Sequence, residues 1–376
     1  MAGATSLTAD RAGTAPDDAM LRSIAERAGR ADAHGHGLTA EVALLREAGW
    51  LVQCLPPGDG GEGWGCTPAG ALPAMAALRR LGRVSLPIAR LFEGHMNAVK
   101  LVALYATPAG RARVFAWVRD GAMLGVWGAD DPDDPVRLEE AGVAARLSGT
   151  KRFASGLGDV ALAVVTAAAP VGSGTQLLLV PVDEPKRADA SGWRMAGMRA
   201  TQSGAYRLHG LPVAPDDLLG APDNYYLEPH FEGGIWRYCA AHLGGAEALY
   251  GATRDALAAR GRAADPLQET RIVAGAVAVE TARLWIERAA RAVEAADAQP
   301  DAAVLALLAR EVTEGCCREV LHIAERALGM AAHEEGTAIE RTRRDLSLFL
   351  CQAAPDAKRS RAARALVAAG ALPEAW

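Results

Sequence analysis

The chain has 376 residues, and hydrophobic residues make up 50% of it, which is enough to bury a substantial core in two or three domains. The formal net charge is −5, so we expect no broad basic surface that would bind nucleic acid. No apolar run reaches the roughly 18 residues that a membrane span needs, and the first residues lack a basic segment followed by an apolar one. We therefore expect a cytoplasmic protein that makes no contact with a membrane.

The cysteines predict no metal site. They are scattered without the paired spacing of a zinc site, and two of them are adjacent, which suits neither a metal knuckle nor a disulfide framework. We expect buried or idle thiols at these positions: Cys54, Cys66, Cys239, Cys316, Cys317 and Cys351.

The first predicted domain spans residues 1–121 and has a helical pattern. Residues 38–49 carry apolar side chains at helical spacing, with Thr39 as the predicted N-cap and Gly49 at the end. Further helical stretches are predicted in this domain at residues 72–81, 95–105 and 108–121.

The second predicted domain spans residues 122–222, where the apolar period shifts toward two. Short apolar runs separated by Gly, Pro and Asp are typical of strands. Strands are predicted at residues 123–127, 144–147, 160–166, 176–181 and 205–208.

The third predicted domain spans residues 223–376 and is helical again. Long Ala, Leu and Val stripes at helical spacing predict four helices, which indicate an antiparallel four-helix bundle. These stripes cover residues 240–259, 270–296, 301–330 and 340–352. The predicted fold class is therefore α+β, mostly α: an N-terminal helical domain, a central β-barrel-like domain and a C-terminal bundle.

One segment carries a family resemblance. It is Leu147-Ser-Gly-Thr-Lys-Arg-Phe-Ala-Ser-Gly-Leu-Gly-Asp-Val-Ala-Leu-Ala-Val-Val-Thr-Ala167, which is predicted to be strand, polar turn and strand. It resembles the central β-domain signature of the acyl-CoA dehydrogenase family. The resemblance implies bound FAD, with the ring of Phe153 stacked beside the isoalloxazine and the hydroxyl of Ser155 hydrogen-bonded to its polar edge.

The segment from Trp127 to Pro132 is similar to another flavin-contacting motif of that family. The similarity implies that Trp127, Ala129 and Asp130 lie by the flavin edge. The family has a threonine where this chain has Asp130, and a carboxylate there would oppose a reduced anionic flavin by like-charge repulsion. Alternatively, residues 130–134 form a solvated loop.

Two further segments resemble family motifs that reach FAD across a subunit boundary. Arg260 occupies the place of an arginine that binds the FAD pyrophosphate, a role suited to a guanidinium fork. Glu325 and Gly329 occupy a second such motif, in which the other two glycines are replaced. The resemblance thus implies a homodimer or homotetramer.

The catalytic base is the largest departure from the family. Acyl-CoA dehydrogenation needs a carboxylate to remove the α-proton, and counting forward from Arg344-Asp345 places Ala353 at the usual glutamate. Glu232 is the nearest carboxylate to the alternative position that some members use, and otherwise it starts a helix, where the macrodipole favours it. His95 and His242 are further candidates for proton transfer, although a single histidine in an apolar helix is more often a core residue.

The resemblance implies an FAD-dependent acyl-CoA dehydrogenase-like oxidoreductase that acts on an acyl thioester or related substrate and passes electrons to a flavoprotein or to O2. Two alternatives stay open. One is a flavin-dependent monooxygenase of the same fold, which needs no such glutamate but needs a reductase. The other is a non-catalytic descendant that serves as a partner subunit.

Overall fold

The computed structural model describes residues 15–34, 37–141, 144–170, 174–352 and 354–369. The N-terminal part is helical, as predicted. A Pro/Gly-rich loop at residues 55–70 separates its first three helices from its last three. The helices are α1 (Ala15–His34), α2 (Thr39–Glu47), α3 (Trp50–Gln53), α4 (Ala71–Val84), α5 (Leu86–Tyr105) and α6 (Pro108–Arg119).

The start of α2 differs from the prediction. Thr39 is the first helical residue rather than the N-cap, and its hydroxyl donates to Asp159 Oδ1 over 2.6 Å. The backbone N–H of Leu38 donates to the other oxygen of Asp159 over 2.8 Å. A carboxylate 120 residues away along the chain therefore anchors the start of this helix.

The central part forms two sheets. The strands are β1 (Leu124–Trp127), β2 (Arg137–Ala141), β3 (Ala144–Ser148), β4 (Thr150–Ala154), β5 (Leu162–Ala168), β6 (Thr175–Pro181), β7 (Ala188–Asp189), β8 (Gly204–Arg207), β9 (Leu211–Val213) and β10 (Leu218–Leu219). A seven-stranded sheet has the order β10-β6-β5-β2-β3-β9, with β1 parallel to β5, and a three-stranded sheet has the order β4-β8-β7. The two strands of the 147–167 segment, β4 and β5, thus belong to different sheets, and the turn between them crosses from one sheet to the other.

The C-terminal part is a helical bundle. Its helices are α7 (Ile235–Ala259), α8 (Pro266–Val293), α9 (Ala302–Leu328), α10 (Ala338–Phe349) and α11 (Pro355–Ala369). Helices α7, α8 and α9 pack on one another, and α10 packs on α7. The predicted fold class is confirmed, whereas the domain limits at residues 121 and 222 stay a prediction. Within the described residues, no helix is both long and apolar enough to cross a membrane.

Two glycines let α4 and α7 approach closely. A Cβ atom on Gly82 would lie 2.3 Å from the carbonyl oxygen of Ala241, and one on Gly244 would lie 2.2 Å from that of Arg79. Both distances are too short for any side chain, so glycine alone permits this contact. The contact fixes α7, whose first turns carry several residues of the site described below, against the N-terminal helices.

Candidate functional site

A cavity of about 800 Å³ lies between the strands, α5, α7 and the segment that joins α10 to α11. This volume falls in the range of small-molecule sites in proteins. Among the residues named from the sequence, Trp127, Ala129, Phe153, Ser155 and Glu232 line it. The family-like segments therefore converge on one place.

Phe153 forms part of the cavity wall through an unusual backbone. Its φ is 54°, and the pairing of β4 with β8 shifts register between Lys151 and Ala154. Such a conformation is rare outside glycine and asparagine and is typical of functional sites. The bulge leaves the ring 44% exposed, 6.4 Å from the ring of Trp193 at an angle of 75°. The Arg152 guanidinium lies over one face, 4.3 Å from the ring centroid, so a planar ligand can stack only on the other face.

Ser155 ends a chain of buried hydroxyl groups. The hydroxyl of Ser203 donates to Ser155 Oγ over 2.9 Å, and Thr201 lies 2.8 Å behind Ser203. The Trp127 indole N–H donates to the carbonyl oxygen of Ser155 over 3.1 Å. Ser155 Oγ is thus the end of this hydroxyl chain that lines the cavity.

Asp130 is neither at the cavity nor a solvated loop residue. Its carboxylate pairs with Lys151, whose side chain is fully buried and also donates to the hydroxyl of Thr166 over 2.8 Å. Burial lowers the pKa of Lys151, and the hydrogen bond and charge of Asp130 oppose that shift. Lys151 therefore balances the charge of the Asp130 carboxylate, and Asp130 does not line the cavity.

Arg260, Glu325 and Gly329 do not line this chain's own cavity. Arg260 is exposed at the end of α7. Glu325 pairs with Arg343 over 3.1 Å, and Gly329 has a φ of 62° and open space where a Cβ atom would be. Within one chain, these residues stay apart from Phe153 and Ser155.

Of the two candidate positions for a catalytic base, only Glu232 belongs to the described residues. Ala353 lies outside the described residues. Glu232 is buried in a 3-10 turn just before α7, as expected for a residue at a helix start, and it lines the cavity. Its Oε2 accepts from Lys358 over 2.9 Å, and its Oε1 lies against Arg361. Glu232 therefore forms ion pairs with two cations of α11, and its Oε2 accepts a hydrogen bond.

The histidines named from the sequence are core residues. His95 accepts the Leu124 N–H at Nδ1 (3.0 Å), so its Nε2–H donates to the Leu51 carbonyl oxygen (3.0 Å). Burial lowers the pKa of His95 to about 4 and that of His242 to about 3, so both are neutral at pH 7. Neither lines the cavity, whereas His230, which was not singled out from the sequence, does.

A buried charge cluster forms one side of the cavity. Glu294 accepts from Arg237 over 2.7 Å and pairs with Lys100. The side chains of all three are less than 10% exposed. The sequence offered only a weak signal for the cluster, namely single charges in the apolar stretches of three helical segments. Their meeting depends on the packing of α5, α7 and the end of α8.

Asp345 of α10 holds the loop that carries the hydroxyl chain. It accepts the backbone N–H of Met198 over 2.6 Å, and Met198 adopts a φ of 54°. The carbonyl oxygen of Met198 in turn accepts from the Trp193 indole (3.0 Å) and the Thr201 hydroxyl (2.8 Å). The bundle thus positions two parts of the cavity wall through one carboxyl group.

The raised pKa of Asp345 should make the free energy of unfolding depend on pH. Burial raises its pKa to about 6, against the opposing hydrogen bond from Met198. A pKa above the unfolded value favours folding most at low pH, and this contribution is lost as pH rises through about 6. Its full size is about 3 kcal/mol. We expect Asp345→Asn, which retains an acceptor for Met198, to remove this loss of stability. The measurement is the free energy of unfolding from urea denaturation between pH 4 and pH 7.

Asp356→Asn is the matched control, since Asp356 is exposed on α11. This variant should follow the wild-type pH curve. If Asp345→Asn also ran parallel to the wild type from pH 4 to pH 7, the role of Asp345 burial would be refuted.

Comparison with known proteins gives relatives of low identity. No protein-family model matches the chain. A dibenzothiophene monooxygenase from Mycolicibacterium goodii is 27% identical over 216 residues, which cover 54% of this chain and 50% of the relative. The matched region of this chain thus spans about half the length of the curated relatives.

Solved structures cover nearly the whole chain. FMN-bound TdsC from Paenibacillus sp. A11-2 aligns with 94% of this chain and 96% of its own, with a TM-score of 0.81 and 21% identity. Methanesulfinate monooxygenase MsuC from Pseudomonas fluorescens has the same coverage, identity and TM-score. These similarities show that the chain has the acyl-CoA dehydrogenase-like fold. The resemblance seen in the sequence is confirmed at the level of the fold.

Proposed function

We propose that this chain is a flavin-dependent monooxygenase that takes reduced flavin from a separate reductase and transfers an oxygen atom from O2 to its substrate. This is one of the alternatives that the sequence left open, and the monooxygenases among its relatives favour it over a dehydrogenase. An acyl thioester as substrate has no support among these relatives.

The observation that carries the proposal is the state of the carboxylates in the cavity wall. Among the described residues, Glu93 and Glu232 are the carboxylates that line the cavity. Glu93 accepts from Arg90 over 2.7 Å and from Asn97, and Glu232 is held by two cations of α11. A dehydrogenase needs a carboxylate free to take the α-proton. Oxygen transfer from a reduced flavin has no such requirement.

The cavity suits a flavin ring. We propose that the exposed ring of Phe153 stacks beside the isoalloxazine and that the hydroxyl of Ser155 meets its polar edge, with Trp127 and Ala129 completing the wall. Reduced flavin supplies two electrons, so that one atom of O2 enters the substrate and the other leaves as water. We propose a flavin without choosing between FAD, which the resemblance implied, and FMN, which TdsC binds.

The protein's part in this chemistry is to position the ring and exclude water. Phe153, Trp193 and Met198 present apolar surface, while the hydroxyl chain behind Ser155 fixes one orientation. We further propose a homodimer or homotetramer, in which Arg260, Glu325 and Gly329 reach the flavin of a neighbouring subunit, because none of them reaches the cavity of their own chain.

Flavin binding should depend on Ser155. We expect Ser155→Ala to weaken the affinity for flavin by about 1 to 3 kcal/mol, because the variant leaves a buried polar edge without its donor. The measurement is a fluorescence titration of the purified protein with FMN and with FAD, each oxidised and each reduced under anaerobic conditions.

Ser191→Ala provides the matched control. Ser191 is exposed and bonds only to Asp189 among the described residues, so flavin affinity should not change. Unchanged affinity in Ser155→Ala would remove the site assignment. Failure of the wild-type protein to bind either flavin in either redox state would remove the proposed function.

A further inference from the structure

The charges that line the cavity do not balance. Arg90, Lys100, Arg237 and Lys358 line it, against the carboxylates of Glu93 and Glu232. The imbalance is greatest around Glu294, which lies behind the wall. Two buried cations, Lys100 and Arg237, share this one carboxylate. The three groups together carry a net charge of +1.

The cluster also has more hydrogen-bond donors than acceptors. Glu294 already accepts three hydrogen bonds: Oε1 accepts from Arg237 (2.7 Å) and from the Trp236 indole (3.2 Å), and Oε2 accepts from Lys100. Lys100 has three N–H donors and finds only this acceptor among the described residues. The Nε of Arg237 is buried without a partner, although its Nη atoms donate to Asn97 and to the Gly65 carbonyl oxygen.

His230 adds a third unpartnered group on the same side. Its Nδ1 is buried and has no hydrogen-bond partner among the described residues. Burial lowers its pKa, and the positive charges of Lys100 and Arg237 lower it further, while Glu294 acts in the opposite sense. The imidazole therefore lies within electrostatic reach of all three members of the cluster.

Buried cations and donors without partners are costly, and a ligand that brings negative charge and acceptor oxygens removes that cost. The neighbouring charges do not supply it. Arg90 and Glu93 pair with each other, and Glu232 is already shared by Lys358 and Arg361. An uncharged polycyclic ligand would leave the surplus unbalanced.

We propose that Lys100, Arg237 and His230 form an oxyanion subsite, which binds the carboxylate, sulfinate or sulfonate group of an organic substrate. We call these three residues the oxyanion subsite below. The assignment of this anion as substrate rests on the proposed monooxygenase function, but the binding of the anion does not. A flavin phosphate offers the same chemistry, so the two sources must be separated by experiment.

The test is isothermal titration calorimetry with benzenesulfinate and benzoate, against the neutral benzamide of similar size. The full chain is used both without flavin and loaded with FMN, so that a failure of flavin binding does not obscure the result. We expect both anions to bind roughly 10- to 100-fold more tightly than benzamide in both forms. Equal binding of the anions and benzamide would overturn the proposal.

Lys100→Met is the decisive variant. It removes the surplus charge but leaves Arg237 and Glu294 as a balanced pair, so it does not create a new unpaired charge. We expect the preference for anions to fall about tenfold or more. Lys186→Met removes the same charge from an exposed turn and should keep the preference. A preference that survives in Lys100→Met would overturn the proposal, even if the wild type favours anions.

A second arm separates substrate from flavin phosphate. Riboflavin lacks the phosphate of FMN, and both can be titrated into the wild type and Lys100→Met. If the subsite binds substrate, the ratio of FMN to riboflavin affinity should be the same in the two proteins. The opposite result has two parts: the ratio falls in Lys100→Met, and benzenesulfinate does not bind to the FMN-loaded wild type. Together they would assign the subsite to the flavin phosphate and overturn the substrate assignment.

Discussion

Glu294→Gln is expected to lower the free energy of unfolding by about 3 to 5 kcal/mol, the cost of leaving buried charges without their partner. Glu294 is the carboxylate that Lys100 and Arg237 share, and it also accepts the indole N–H of Trp236. The amide keeps the shape and one acceptor but removes the negative charge. Two adjacent buried cations would then face each other. Urea denaturation followed by circular dichroism measures the loss.

Two variants test that explanation. Glu287→Gln on the same helix removes a carboxylate that pairs with Arg283 and Arg291 near the surface, where such pairs contribute about 0 to 1 kcal/mol. Adding Lys100→Met to Glu294→Gln removes one of the two unbalanced cations and should restore part of the stability. A loss below 1 kcal/mol for Glu294→Gln, equal to that of Glu287→Gln, would contradict the account.

Saturated straight-chain acyl-CoA should fail to reduce flavin bound to this protein. A positioned base contributes roughly 10² to 10⁴-fold to a proton transfer. Ala353 has no group that could serve, and both oxygens of Glu232 are held by Lys358 and Arg361. The measurement is anaerobic mixing of the flavin-loaded protein with acyl-CoA, followed by the visible absorption of the oxidised flavin, which should persist.

Rapid bleaching would show that a base exists after all. Glu232→Gln would then identify it, if this variant alone abolished the bleaching. Glu311→Gln is the matched control, because Glu311 also pairs with α11, through Arg359, but does not line the cavity. Equal bleaching in both variants would point to a base that is neither of these carboxylates.

The sequence predicted the fold well where the signal is local. Helical stripes located α4 and α6 to α10 to within about five residues, whereas α5 begins at Leu86, nine residues before the predicted start at residue 95. Alternating apolar runs located β1, β3, β5, β6 and β8. Strand β2 was missed, because Arg137-Leu-Glu-Glu-Ala141 carries little apolar alternation. The cap of α2 was misassigned to Thr39, because the Thr39 hydroxyl bonds instead to Asp159, which comes from a distant turn that no local pattern reveals.

The site was predicted only in part. Phe153 and Ser155 were found because they belong to one continuous motif, and both line the cavity. The oxyanion subsite was missed because its residues come from α5, α7 and the turn before α7, and they meet only in the folded chain. The ion pair between Asp130 and Lys151 was missed for the same reason, since Lys151 is buried across a β-bridge.

The central claim is that the protein directs the reaction of reduced flavin with O2. The most direct measurement is rapid mixing of the protein, loaded anaerobically with reduced FMN or FAD, with oxygenated buffer, followed by the return of the oxidised flavin spectrum. We expect this return to be much slower than for free reduced flavin, and slower than in Ser155→Ala at the same flavin concentration. Reoxidation at the rate of free flavin, together with rapid reduction of bound flavin by acyl-CoA, would contradict it.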